Sequence, residues 1–165
     1  MLSFYFVNVT IHLLAAFLWL GGLLFLGAVG APALRQIEPA SLRAEVFQRL
    51  GQRFRPVGWI AIAVLLVTGV LNLHVRGLLM WETLGDGGFW ASVYGRTLLW
   101  KLICVAAIVS GSGYHDFVVG PAASRAEAGS AQALALRSRA AWIGRINALL
   151  GILLIVTAAR LTRGF

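Results

Sequence analysis

Acidic side chains are scarce in this chain, with six Asp and Glu against fourteen Lys and Arg in 165 residues. Charge of either sign is thin: 12% of residues, where a soluble domain carries roughly 25%. With 59% hydrophobic residues and a mean hydropathy of +0.83, the composition is that of a membrane protein. The lone cysteine, Cys104, excludes an internal disulfide and any CxxC metal or redox motif. Methionine is limited to Met1 and Met80, so no Met-rich run offers thioether sulfur to copper(I). A net charge of +8 would suit nucleic acid, but the basic residues cluster beside apolar runs. That placement points to anionic lipid and membrane topology, and no nucleic-acid partner is expected. The opening residues lack a basic n-region and a clear A-x-A site, so the first apolar run is expected to stay as a span.

Four runs reach the ~20 residues needed to cross a bilayer, at about 4–30, 57–80, 96–120 and 141–161. Between the first two, "LRAEVFQRLGQRF" suggests an amphipathic interfacial helix at about 40–54. The second connection, "WETLGDGGFWASVYG", is Gly-rich and carries only acidic charge. The third, "PAASRAEAGSAQALALRSRA", opens on Pro121, where the third helix must end or restart. Arg35, Arg43, Arg49, Arg53 and Arg55 load the first connection, and Arg125, Arg137 and Arg139 the third. Counting these basic residues places both connections in the cytoplasm and both termini outside it, although Arg160 and Arg163 weigh the other way. The expectation is an all-α, integral-membrane, antiparallel four-helix bundle, one domain over residues 1–165, in the inner (plasma) membrane. Small residues such as Gly22, Gly111 and Gly151 would let helices approach closely, and a homo-oligomer is compatible with them.

Ionisable residues inside such spans are costly and need a partner or a purpose. Counting along the helices puts His12, His74 and Lys101 at one height in the outer half, and His115 with Asp116 near Arg145 and Asn147 in the inner half. Lys101, Ile108, Ser112 and His115 fall within about 60° of one another on one helical face. His12 shares its face with Ala15, Ala16 and Trp19, while Thr68 and Asn72 lie together on the second span. A b-type haem needs one or two axial nitrogens, an apolar slot and basic groups near its propionates. His12 and His74 supply nitrogens, Trp19 and the small residues below His12 a slot, and Arg76, Arg96 or Lys101 the basic groups. Imidazole also suits copper(II), so His12, His74 and His115 are the metal-ligand candidates for either metal. The blander alternative stands beside this. His74 and His115 lie near helix ends, where they reach headgroups, and Lys101 can snorkel. Most tryptophans fit an interfacial belt.

The run "IHLLAAFLWLGGLLFLGAVGAPAL" resembles the opening helix of the CopD-type copper-resistance membrane domain, where a histidine precedes a Trp- and Gly-rich run ending in proline. It also resembles the HemJ-type protoporphyrinogen oxidases, four-helix membrane proteins of similar length. "SGYHDF" looks like that family's end of helix 3, and "RIN" at 145–147 like its opening of helix 4. The resemblance implies a functional histidine in helix 1, a functional lysine opening helix 3, and bound haem b; His12 and Lys101 fall on those positions. Where an acidic residue and a proline are expected after Asn147, this chain has "ALLG", and His74 has no place in the oxidase pattern. The function expected is therefore a membrane haem b protein in electron transfer or redox chemistry, with a quinone or a redox protein as partner. The alternatives are CopD-like copper transport or a HemJ-like porphyrinogen oxidase, so an oxidoreductase activity stays open.

Overall fold

In the computed structural model, which describes residues 2–127 and 129–162, nearly every residue is helical and no strand occurs among those described. Helix α1 (Leu2–Phe25) passes through a π-helical turn (Leu26–Gly30) into α2 (Ala31–Leu34). Helix α3 (Ala40–Val75) follows, then two short helices, α4 (Trp81–Gly85) and α5 (Gly87–Ala91). Helix α6 (Val93–Tyr114) runs through a second π turn (His115–Val119) into α7 (Gly120–Arg125), and α8 (Ala131–Thr162) closes the fold. Four of these rods are long and apolar enough to cross a membrane: Ser3–Leu34, Ala40–Val75, Val93–Arg125 and Ala131–Ala159. Their outward faces carry bare hydrocarbon, as at Phe17 (79% exposed) and Leu149 (65%), which only a bilayer can cover. The protein is a multi-pass membrane protein.

Cross-helix contacts give the topology. Along α1, Asn8, His12, Trp19 and Gly22 meet Asn72, Thr68, Gly58 and Phe54 of α3 in descending order, so the two run antiparallel. Between α6 and α8, Ser112 meets Asn147 while Thr97 and Thr157 line one cavity, again antiparallel. We call the end holding Tyr5, Arg76 and α4–α5 the upper end, and the end holding residues 35–39, 126–127 and 129–130 the lower end. Trp19, Leu20, Ala61, Ile62 and Ile108 form the buried core between them.

Local chemistry sets the helix ends, and several differ from the sequence expectation. The surface helix at about 40–54 and the span at about 57–80 are one unbroken rod, Ala40–Val75, which passes through Pro56. A proline inside a membrane helix costs one backbone bond that neighbours and small adjustments make good. At about 54 Å this helix outreaches the ~30 Å hydrocarbon layer, so its Arg-rich first turns stand beyond it. Its upper end stops at Val75 because Gly77 takes φ +69° and closes a Schellman turn, with Gly77 N–H donating to the His74 carbonyl and Leu78 N–H to that of Leu73. Helix α6 starts early, at Val93, because the Ser92 hydroxyl accepts from Gly95 N–H at 3.0 Å. Helix α8 likewise starts at Ala131, where Ser130 accepts from Ala133 N–H at 3.1 Å. Arg163 and the Arg160 side chain lie outside the described residues.

The two halves are alike. In each, a five-residue π turn sits immediately before an X-Pro pair, Ala31-Pro32 and Gly120-Pro121. A wider turn accommodates the ring of a residue that can neither donate nor tolerate the usual carbonyl behind it. His12 precedes Pro32 by as many residues as Lys101 precedes Pro121, and the same spacing pairs Trp19 with Ile108 and Gly22 with Gly111. Both glycines mark close approaches: a Cβ on Gly22 would collide with the Phe54 ring, and one on Gly111 would lie 2.9 Å from Asn147 Oδ1. Two helical hairpins of one plan therefore form the bundle, with His12 and Lys101 in equivalent places.

Candidate functional site

The upper polar layer is built on His12. Its Nδ1 lies 2.7 Å from Thr68 Oγ1, and that oxygen is 2.6 Å from the Val64 carbonyl oxygen. A carbonyl can only accept, so the Thr68 proton goes to Val64 and His12 Nδ1–H donates to Thr68. The network thus assigns the tautomer and leaves the His12 Nε2 lone pair unused, the state in which imidazole ligates a metal or takes a proton. One turn earlier, buried Asn8 donates to the Thr68 carbonyl at 3.0 Å and to Asn72 Oδ1 at 2.8 Å. The His12 ring lies beside Gly69, where a Cβ would make ordinary van der Waals contact with Cε1 at 3.7 Å.

Lys101 is half-buried on α6, near enough for its charge to act on His12, and Arg76 is near enough to act on Lys101. Among the described residues Lys101 has no hydrogen bond or ion pair. Arg76 donates to Tyr5 Oη at 2.7 Å and Tyr94 Oη at 3.3 Å, tying α1, α3 and α6 together at the upper rim. Arg96 is exposed one turn above Lys101.

The other candidates fall elsewhere. His74 is exposed and lies about 120° around α3 from Thr68, at ~100° per residue, so Thr68 and Asn72 take the face toward His12 and His74 does not. Trp19 is buried (6% exposed) in the core below, packed against Gly58 and Gly151. His115 belongs to a separate lower layer. There Asp116 Oδ1 is 2.7 Å from His115 Nδ1, and Oδ2 accepts from Trp59 Nε1 at 2.8 Å with Arg55 Nε at 3.8 Å. Arg55 also stacks over Phe117 at 4.8 Å. Asn147 donates to Ser112 at 3.1 Å nearby, while exposed Arg145 stacks on Trp142 instead of joining His115. Sequence reasoning had grouped Thr68 with Asn72 but missed Asn8 and the Trp59–Asp116 bond. Asn8 was legible as an amide one turn from His12 in an otherwise apolar helix.

These donors can be tested against the groups the sequence suggested. A closed copper centre does not fit: no three His, Cys, Asp or Glu side chains converge among the described residues. Cys104 is buried in the α6–α8 seam and lines a cavity to which no histidine contributes. A porphyrin held by two imidazoles does not fit the directions of His12 and His74. A single imidazole, His12 Nε2, with Lys101 near enough to act on its ring and Arg76 near Lys101, is the donor chemistry an iron porphyrin with acidic propionates would need.

Comparison with known proteins bears on the whole chain. A family model described as copper resistance protein D (CopD) matches residues 48–161, a stretch that holds Lys101, Cys104 and His115 and begins after His12. An uncharacterized protein of Aquifex aeolicus (strain VF5) is 29% identical over 156 residues, covering 94% of this chain and 93% of its own length. No solved structure matches. A family match over more than half of the residues, on a bundle of four membrane-spanning helices, settles the assignment: the chain belongs to the copper resistance protein D (CopD) family.

Proposed function

We propose that the protein is a haem b protein of the plasma membrane, with His12 Nε2 as the axial ligand. The single observation that carries this reading is the bond from His12 Nδ1–H to Thr68, which holds the ring in one tautomer and keeps Nε2 free. The surroundings decide between metals. Lys101 puts positive charge near the His12 ring, and Arg76 puts more near Lys101. Positive charge repels a bare copper cation and attracts the carboxylates of a porphyrin. The apolar core of Trp19, Leu20 and Ile108 closes the bundle below this layer, which suits a seated group better than an ion in transit. When bound, the haem supplies one-electron chemistry. His12 would hold it, Thr68 would orient His12, Lys101 would offset propionate charge, and Trp19 would exclude water from beneath. The basic residues of the lower end support a reading with that end in the cytoplasm, the upper layer toward the outside, and both termini outside.

Copper as cargo is the second reading, favoured by the family to which the chain belongs. In it, His12 Nε2 receives the ion and the core must open for passage. Pyridine haemochrome analysis with iron and copper quantification on purified protein separates the two. The haem reading expects stoichiometric haem b that is lost in His12→Ala and kept in His74→Ala and His115→Ala. Colourless protein holding stoichiometric copper would replace it with the second reading.

A further inference from the structure

A cavity of about 220 Å³ lies in the upper half of the α6–α8 seam. Thr97, Trp100 and Cys104 line it from one face of α6, and Leu153 and Thr157 from one face of α8. Trp100 is 62% and Leu153 46% exposed, so the cavity opens toward lipid. Buried Cys104 forms its floor.

The hydroxyl protons of this cavity are already in use. Thr97 Oγ1–H donates to the Val93 carbonyl at 2.7 Å, and Thr157 Oγ1–H to the Leu154 carbonyl at 2.9 Å. Each oxygen keeps acceptor capacity and has no proton left to give. Cys104 adds only a weak S–H donor. At this depth an acyl chain cannot satisfy two acceptors, and a bare carbonyl would find no strong donor. A ring carrying an O–H group supplies what the cavity lacks: its proton goes to Thr97 or Thr157, and its face lies against Trp100. The volume suits one ring, being smaller than the ~300 Å³ at which drug-sized sites begin.

We propose that this cavity binds the hydroxylated ring of a lipid-soluble phenol, the reduced headgroup of a quinone being the natural class. Neither His12 nor Lys101 lines the cavity, so the proposal holds or fails independently of which metal, if any, His12 takes. The test uses the full chain in lipid nanodiscs, a 4-alkylphenol and its methyl ether, with binding read by tryptophan fluorescence against a Trp100→Phe background. Wild-type protein is expected to bind the phenol saturably and about tenfold more tightly than the ether, the effect of one hydrogen bond. In Thr97→Val/Thr157→Val, which keeps the shape and loses the acceptors, that preference falls to about one. Leu153→Trp fills the cavity and abolishes saturable binding. Equal binding of phenol and ether to the wild type, a preference that survives the double substitution, or no saturable binding would each overturn the proposal.

Discussion

Replacing Thr68 with valine removes one oxygen from the upper layer and leaves the side-chain shape nearly unchanged. In the native protein that oxygen accepts from His12 Nδ1–H at 2.7 Å, and its own proton goes to Val64. Without it the ring has two options. It can keep the proton on Nδ1, a part-buried donor with no partner, at about 1–3 kcal/mol. Or it can move the proton to Nε2, which then has no lone pair for a metal. Both outcomes weaken ligation, and loss of such a supporting bond typically costs about 10–100-fold in metal affinity. Haem titration followed at the Soret band measures the affinity, and ¹⁵N NMR of the histidine ring reports which nitrogen carries the proton. Thr68→Ser keeps the oxygen and should stay within about threefold of wild type, since it retains the bond. A Thr68→Val protein with native affinity and Nδ1 still protonated would refute the argument that Thr68 sets the state of His12.

Further outcomes follow from the packing and the lower layer. At Gly151 a Cβ would lie 2.7 Å from Leu20 Cδ1 and 3.2 Å from Trp19 Cζ3. Gly151→Val should therefore destabilise the bundle by about 1–3 kcal/mol, read as a lower melting temperature in detergent. Asp116→Leu strips acceptors from Trp59 and His115 and an ionic partner from Arg55, so a loss of about 1–3 kcal/mol is expected. The same variant should leave haem binding at His12 intact, which separates the two layers. For orientation, Gln36→Cys in a Cys104→Ala background should react with an impermeant maleimide only after the membrane is opened. Trp81→Cys, at a site where the native side chain is 86% exposed, should react from outside.

The spans and the all-helical fold were readable from hydropathy, because a bilayer imposes one length and one class of structure, and counting along the helices put His12 and Lys101 at one height. Helix ends were harder. The break expected between about 54 and 57 does not occur, since Pro56 is carried inside α3, and the Gly77 turn ends α3 at Val75, short of Met80. His74 shows where height alone misleads. Residues at equal depth can point to different sides of a helix, and the face toward α1 belongs to Thr68 and Asn72. Trp19 read as a pocket wall and as a belt residue, yet it is the centre of the core, since Gly58 and Gly151 on two neighbouring helices leave space for its ring. The shared carboxylate of Asp116 depends on α3 and the second π turn meeting, and no local pattern encodes that.

The central claim is that one nitrogen, His12 Nε2, holds the metal. Hyperfine spectroscopy of the bound paramagnetic centre in protein labelled with ¹⁵N-histidine tests it directly, and it serves iron and copper alike. Coupling to one imidazole nitrogen, present in wild type and in His74→Gln and His115→Gln but absent in His12→Gln, is the predicted result. Coupling that persists without His12, or a second imidazole contributed by His74, would contradict it.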